Sequence, residues 1–385
     1  PDKIGMLTEF LSENEYYLSH IDTISSIAKR FKIFNEQYVL LKIRELSFIL
    51  PNQRNKEVSK KNIDEIDNLL NSVNIEPVEK VRYLLMKSPY YSWFTGDLST
   101  AIKIEKQAFN IFNRIPNKDK YKYEYIMLCA KLAQSNVLIG DYNETLNYGE
   151  LAEVVTKNNP KINTEFQVVL YQAKARAYFD QAMYKKAFIE IEKGIRLLSE
   201  RIYAYDQGDT FGIPFLFTKY QILIKMEKNK EALSKLTEMR KKIEISYGYV
   251  EHYMKKLHCL KAESLLNLGK TDEALQEINE VFKSKIIDKN TLYALALKNK
   301  ADIFYKKKNY NEALKLYEDS LYYYNKLLKY KNIQPVSDLY LQIIKLLIDM
   351  NNIDQANFYK TMHEDIFGKY NSDSLKMNVY LKSKE

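Results

Sequence analysis

Six polar residues fall at one position of a recurring pattern: Gln134, Arg176, Gln221, Glu263, Asp302 and Lys345. Each directly follows a residue that helical spacing marks as buried, namely Ala133, Ala175, Tyr220, Ala262, Ala301 and Ile344. Four residues earlier the same line adds Gln172 and Lys298. Three residues later it adds Phe179, Leu266 and Tyr305, with Asn267 beside them. Residues three and four apart share a helix face, so amide, charged and aromatic groups stand on successive turns. Amides and charges can hydrogen-bond the backbone and termini of an extended peptide, and the apolar and aromatic groups can take its side chains. The expected peptide-binding set is therefore Gln134, Gln172, Arg176, Phe179, Gln221, Glu263, Asn267, Lys298, Asp302, Tyr305 and Lys345. A merely solvated surface would also be polar, so the two readings need separating. Replacing Arg176 or Asn267 with Ala is expected to weaken ligand binding and leave the thermal melt nearly unchanged.

Other chemistry is sparse. There is no Gly-rich phosphate loop, no His-Glu-x-x-His and no Cys-x-x-Cys. The four histidines, His20, His252, His258 and His363, read as partly exposed helix residues, with no carboxylate cluster around His252 and His258. Cys129 and Cys259 are too few for a disulfide framework and read as buried, inert thiols in a reducing cytosol. Trp93 reads as packing, and so does the tyrosine-rich stretch around Tyr322. No catalytic residue, metal or cofactor is expected.

The elements that position the polar line are helices. The 385 residues hold 10 Gly and 8 Pro, well below the ~7% and ~5% of average chains, which argues against sheets and their turns. Hydrophobic residues make up 46%, enough to bury a core. A phrase that closes one helix and opens the next ends on a small residue at 101, 145, 187, 232, 274, 313 and 356. Successive spacings are 44, 42, 45, 42, 39 and 43. A second small position follows in several units, at Ala108, Ala152, Gly194 and Ser320. Seven helical hairpins of this kind predict an all-α tetratricopeptide (TPR) superhelical solenoid over residues 76–385, its concave face lined by the first helix (A) of each hairpin. Residues 199–214, with Gly208, Gly212 and Pro214, read as a longer connection. The densest apolar stretch, Leu339 to Met350, contains Lys345 and Asp349, so no membrane span is expected.

Residues 1–75 lack the phrase and read as a small helical segment, with helices near 3–19, 22–31, 34–50 and 60–73 separated around Leu50-Pro51-Asn52. Within it, Ile24, Ile27, Ala28, Phe31 and Ile33 fit the core of a degenerate helix-turn-helix, whose second helix, Asn35 to Leu46, would expose Lys42 and Arg44. Against this, Lys32 stands where Gly is usual, and a bundle packed on the first repeat explains the same pattern. The net charge of +9 permits an acidic or nucleic-acid partner without demanding one. The chain begins at Pro1, which leaves room for a helix-turn-helix upstream.

A small helical front segment followed by seven long TPR units resembles the cytoplasmic peptide-pheromone receptors of low-GC Gram-positive bacteria: Rap phosphatases, NprR, PlcR and AimR. The stretch Glu76-Pro-Val-Glu-Lys-Val-Arg-Tyr-Leu-Leu, leading to Tyr91-Ser-Trp-Phe-Thr-Gly-Asp-Leu, is similar to the entry into the first Rap-type repeat. The resemblance implies a cytoplasmic, homo-oligomeric (homodimeric) quorum-sensing regulator that binds a short signalling peptide in the concave groove. Its output would be contact with DNA, for transcription regulation, or with a response regulator. It does not imply an enzyme unless the Rap-type phosphatase pattern holds, which needs a glutamine from the front segment. Gln37 and Gln53 are the only ones before residue 80. A generic TPR protein–protein scaffold is the remaining alternative.

Overall fold

A computed structural model describes Ser26 and residues 35–52, 56–158, 165–202, 212–244, 250–283, 291–327 and 334–368. Among these residues the secondary structure is entirely helical. Among the described residues, the helices α1 (Glu36–Asn52) and α2 (Lys56–Leu69) precede seven hairpins. The hairpins are α3/α4 (Pro77–Pro89, Leu98–Asn113), α5/α6 (Lys122–Leu138, Tyr142–Lys157), α7/α8 (Glu165–Asp180, Tyr184–Ile202) and α9/α10 (Gly212–Lys225, Asn229–Glu244). They continue as α11/α12 (Val250–Asn267, Thr271–Phe282), α13/α14 (Thr291–Lys306, Tyr310–Leu327) and α15/α16 (Gln334–Asp349, Ile353–Phe367). This is the TPR solenoid fold.

Every anchor residue is fully buried. Ala101, Thr145, Ala187, Ala232, Ala274, Ala313 and Ala356 are each 0% exposed. They sit where paired helices approach closest, so only a Cβ or a hydroxyl fits. Overfilling such a site costs about 1–3 kcal/mol. Ala108, Ala152 and Ser320 are equally closed. Gly194 shows why that position stays small: an added Cβ would lie 3.3 Å from Tyr171 Cβ and 3.6 Å from the Phe215 ring.

The turns follow the same register. Five residues before each anchor the backbone enters the left-handed region, at Gly96, Gly140, Ala182, Glu227, Gly269, Lys308 and Asn351, with φ between 58° and 81°. In five hairpins this residue ends the A helix with a paired backbone motif. For example, Lys228 N–H donates to Leu223 O at 2.9 Å while Glu227 N–H donates to Ile224 O at 3.0 Å. That satisfies carbonyls which a helix end otherwise leaves open. The next residue caps the B helix through the backbone, and Asp97, Asp141, Asn309 and Asn352 add a side-chain oxygen that accepts from the backbone N–H three residues on.

The chain forms two compact units. Unit 1 runs to Asn136 and adds residues 147–166. Its core joins Val39, Ile43, Leu46, Ile63 and Ile66 of α1 and α2 to Val81, Leu84 and Leu85 of α3. A π-helical turn, Tyr90–Thr95, extends α3 past Pro89. Unit 2 comprises residues 137–146 and everything from Gln167. Its cores repeat the pattern: Phe217, Leu223, Ala232 and Leu236, then Ala262, Leu265, Ala274 and Ile278, then Ala301, Ala313, Tyr317 and Ile344.

Several expectations need correcting. Helix α1 runs through Leu50 and Pro51 to Asn52 rather than breaking there, and α2 occupies 56–69 rather than 60–73. Helix α8 continues to Ile202 and α9 begins at Gly212, with Pro214 in its first turn, so the two ends of the stretch read as a connection are helical, and residues 203–211 lie outside the described residues. The helices expected before residue 35, including the first half of the candidate helix-turn-helix, lie outside the described residues. Lys42 is not exposed but 3% accessible. It bonds Glu45 at 2.5 Å and Asn62 at 2.9 Å and pairs with Glu65 at 3.2 Å. The helix pattern alone put Lys42 outside because its partners come from α2. Arg44 is exposed as expected.

Candidate functional site

Helices α7, α9, α11, α13 and α15 of unit 2 each carry part of the polar line. None of its members there is buried. Gln172, Arg176, Phe179, Gln221, Glu263, Lys298, Asp302, Tyr305 and Lys345 are half-buried, and Asn267 is exposed. Gln134 belongs to unit 1, where it is exposed on α5. Helical spacing explains the main row: the residues before Gln134, Arg176, Gln221, Glu263, Asp302 and Lys345 are buried, which turns the next side chain out of the packed interface.

The line is laced by ion pairs and hydrogen bonds. Arg176 Nε donates to Asp180 Oδ2 at 2.8 Å, and the Tyr142 hydroxyl reaches the same oxygen at 3.4 Å. Lys225 reaches from α9 to Glu263 on α11 at 3.0 Å. Lys298 pairs with Asp302 at 2.7 Å, and Asp302 accepts from the Tyr317 hydroxyl at 2.6 Å. Tyr305 donates to Asp349 at 2.5 Å, and the Lys345 ammonium lies 5.5 Å from the Tyr305 ring centroid. Asn267 donates to Asn229 at 3.1 Å, and the Arg176 guanidinium sits 5.8 Å from the Phe179 centroid. Gln172 and Gln221 have no hydrogen bond to another described side chain.

Electrostatic influence on this face runs between hairpins well separated in sequence. Arg176 in the third hairpin acts on Lys256 in the fifth and on Tyr324 in the sixth. Asp338, at the start of the seventh, acts on Tyr142, Asp180, Lys225 and Lys298. The concave side of a TPR solenoid, the trough lined by its A helices, is where such influence is expected. Arg176 remains 39% open to solvent within it.

Enclosure in the trough perturbs the charges. Burial opposes the charge on Arg176, but Asp180, Tyr142 and Tyr324 outweigh it and hold the guanidinium above its ordinary value. For Asp180 burial wins over Arg176, and its carboxyl is pushed up. Glu263 Coulombically raises Lys225. Burial opposes ionisation of Glu263, yet Lys225 and Lys298 pull its carboxyl down. Lys298 is likewise raised by Asp302, Glu263 and Asp338 against desolvation. The face thus offers opposite charges in alternation with aromatic rings, held open to water.

The alignment that found the line missed Asp180, Lys225 and Asp349, which occupy the same position as Asn267 in their hairpins. It also missed Lys256 and Asp338, which stand seven residues before Glu263 and Lys345. The Asn267 position marks the first three, and one further helical turn towards the N-terminus marks Lys256 and Asp338. The geometry bears on one expectation. Arg176 is the charge partner of Asp180, whose side chain is 4% exposed, so its loss strikes stability as well as any ligand.

The remaining candidates are structural. Cys129 and Cys259 are free and buried, each thiol pushed up to about 12 chiefly by burial. His258 bonds Glu277 at 2.6 Å. His363 is not partly exposed but buried, 2.8 Å from the Ser337 hydroxyl and stacked on Phe367. Among the described residues no group of three or more His, Cys, Asp or Glu could hold a metal ion, and no helix is long and apolar enough to cross a membrane. Gln37 lies half-buried on α1, and Gln53 lies outside the described residues.

No protein-family model and no curated protein matches this sequence. Solved structures do. NprR in complex with its cognate peptide NprX aligns at a TM-score of 0.60 and 14% identity, covering 89% of this chain and 95% of that one. A Rap protein complexed with competence and sporulation factor aligns at 0.57 and 12% identity, covering 92% and 100%. The Rap conjugation gene regulator of plasmid pLS20, in complex with the Phr* peptide, aligns at 0.52 and 13% identity, covering 86% and 97%. These likenesses establish a shared TPR solenoid fold.

Proposed function

We propose that this chain is a TPR regulator that binds a short signalling peptide along the trough of unit 2 and, in doing so, switches its contact with DNA or with a response regulator. The observation that carries the reading is the trough itself. Arg176 on α7, Glu263 on α11, and Lys298, Asp302 and Tyr305 on α13 are open to water, and their charges alternate in sign. An extended peptide has backbone amides and carbonyls on both sides and two charged ends, which such a wall can hydrogen-bond. The structures of NprR, Rap and the pLS20 regulator were each solved with a peptide or factor bound, which adds support through the common fold.

The test is thermal melting of the full chain with synthetic peptide pools of five to ten residues. Ligand stabilisation grows with concentration as RT ln(1 + [L]/Kd), about 2.7 kcal/mol at a hundredfold excess over Kd. A concentration-dependent rise that Asn267→Ala and Gln221→Ala weaken supports the reading. A flat melt with every pool removes it.

A further inference from the structure

Most charges of the trough pair off, but among the described residues Lys256 and Lys345 meet only aromatic rings. Arg176 meets Asp180, Lys225 meets Glu263, and Lys298 meets Asp302. Lys256 stands on α11, seven residues before Glu263 and therefore on the same face. Among the described residues no carboxylate lies within ion-pair distance of it. Its ammonium lies 5.1 Å from the Phe217 ring centroid on α9, and the charged group that acts on it most is another cation, Arg176 on α7.

Its other neighbours offer no compensation. Cys259, one turn on, is a buried thiol and neutral. Lys255 is held by Glu251 at 2.8 Å. His252 can only add positive charge, and Lys256 and Lys255 hold its protonation down after burial has done so. On α13, Lys298 is committed to Asp302, while Asp338 on α15 acts on Lys225 and Lys298. Burial, and then the positive charge of Arg176, push the half-buried Lys256 amine down to about 8. The arrangement becomes favourable when an anion enters, because opposite charge in an enclosed site favours both ionised forms.

We propose that Lys256, whose ammonium stands over the buried Phe217 ring on the polar face of α11, holds a carboxylate of the bound ligand. This rests on the peptide reading above and names the group recognised. The carboxylate comes from an acidic side chain or from a free C-terminus, and the two sources are separable. Binding also restores the basicity of Lys256, so near pH 8 the complex takes up a proton that the free protein lacks.

The experiment uses the full chain and four pools of N-acetylated random hexapeptides: acidic residues present or absent, each with a free or an amidated C-terminus. Thermal shifts are read on the wild type and on Lys256→Met, which keeps the apolar stem. The wild type should respond to the carboxylate-bearing pools at least tenfold more sensitively than to the acid-free amidated pool, and Lys256→Met should abolish that preference. Whichever single-carboxylate pool retains it identifies the source. Equal shifts with all four pools, or an unchanged preference in Lys256→Met, overturn the proposal while leaving the peptide reading intact. No shift with any pool defeats both. If Lys256→Met fails to fold, calorimetry of the wild type at pH 8 in buffers of different ionisation enthalpy decides instead. Proton uptake with the preferred pool supports the assignment and its absence overturns it.

Discussion

Glu105 carries a charge that the fold of unit 1 resists. It is 2% exposed on α4, between Ser88 of α3 and Ser135 of α5, whose hydroxyls donate to Oε1 at 2.5 and 3.1 Å. Its Oε2 has no hydrogen-bond partner. Burial dominates and pushes the carboxyl from 4.5 up to about 7, against the pull of the two serines and of Lys131. The folded state therefore holds a proton that the unfolded chain releases, so stability falls as pH rises from about 4.5 to about 7 and then levels off. A shift of this size, at about 1.4 kcal/mol per pH unit, corresponds to roughly 3 kcal/mol. Glu105→Gln keeps the shape, removes the charge, and retains a carbonyl for the serine hydroxyls. At pH 8 the variant should be more stable than the wild type by about 2–3 kcal/mol, which for a unit of this size is several degrees in melting temperature. At pH 4.5 the two should coincide. The assay is a pair of melting curves across that range, supported by hydrogen exchange in α3, α4 and α5. Parallel curves for the two proteins would refute the reasoning, because they would show that Glu105 ionises in the fold without penalty.

The left-handed turns give a second prediction. Ala182, Glu227 and Lys308 adopt φ near 60° without being glycine, so replacing each with Gly should stabilise by about 0.5–1 kcal/mol in denaturant titrations. Gly269→Ala should cost about 1 kcal/mol, and since its Cβ would meet nothing within 4 Å, that loss reports backbone conformation alone. Arg176→Ala should lower stability by about 2 kcal/mol, because it strands the enclosed Asp180 carboxylate. Adding Asp180→Asn should recover most of that loss, and a single variant that melts with the wild type would contradict the pairing.

Helical periodicity made most of the solenoid legible, because each anchor must fit a closest approach and only small residues do. The same spacing found Arg176, Glu263, Lys298 and Asp302, since a residue beside a locked position has one direction left. Three things escaped it. The turn register was hidden where Ala182, Glu227 and Lys308 stand in place of glycine. The burial of Lys42 depends on Glu65 and Asn62, contacts of tertiary origin that no local pattern reveals. The solitary state of Lys256 is a property of the bent array: one helix shows a lysine on a polar face, and only the curve shows which charges stand opposite.

The reach of Asp338 across the trough has a wider consequence. Mechanically unit 2 is an open row, in which each hairpin leans mainly on the ones beside it. Electrically its hairpins are coupled over a longer range, since a carboxylate on its last hairpin adds a minor influence on Asp180 and Tyr142 near its first. Such long-distance influence weakens as ions shorten the screening length, from about 10 Å at 0.1 M to 3 Å at 1 M. Added salt should thus relax the pitch of the whole row together rather than loosen one joint, and a charged guest that bridges the gap would tighten it in the same concerted way.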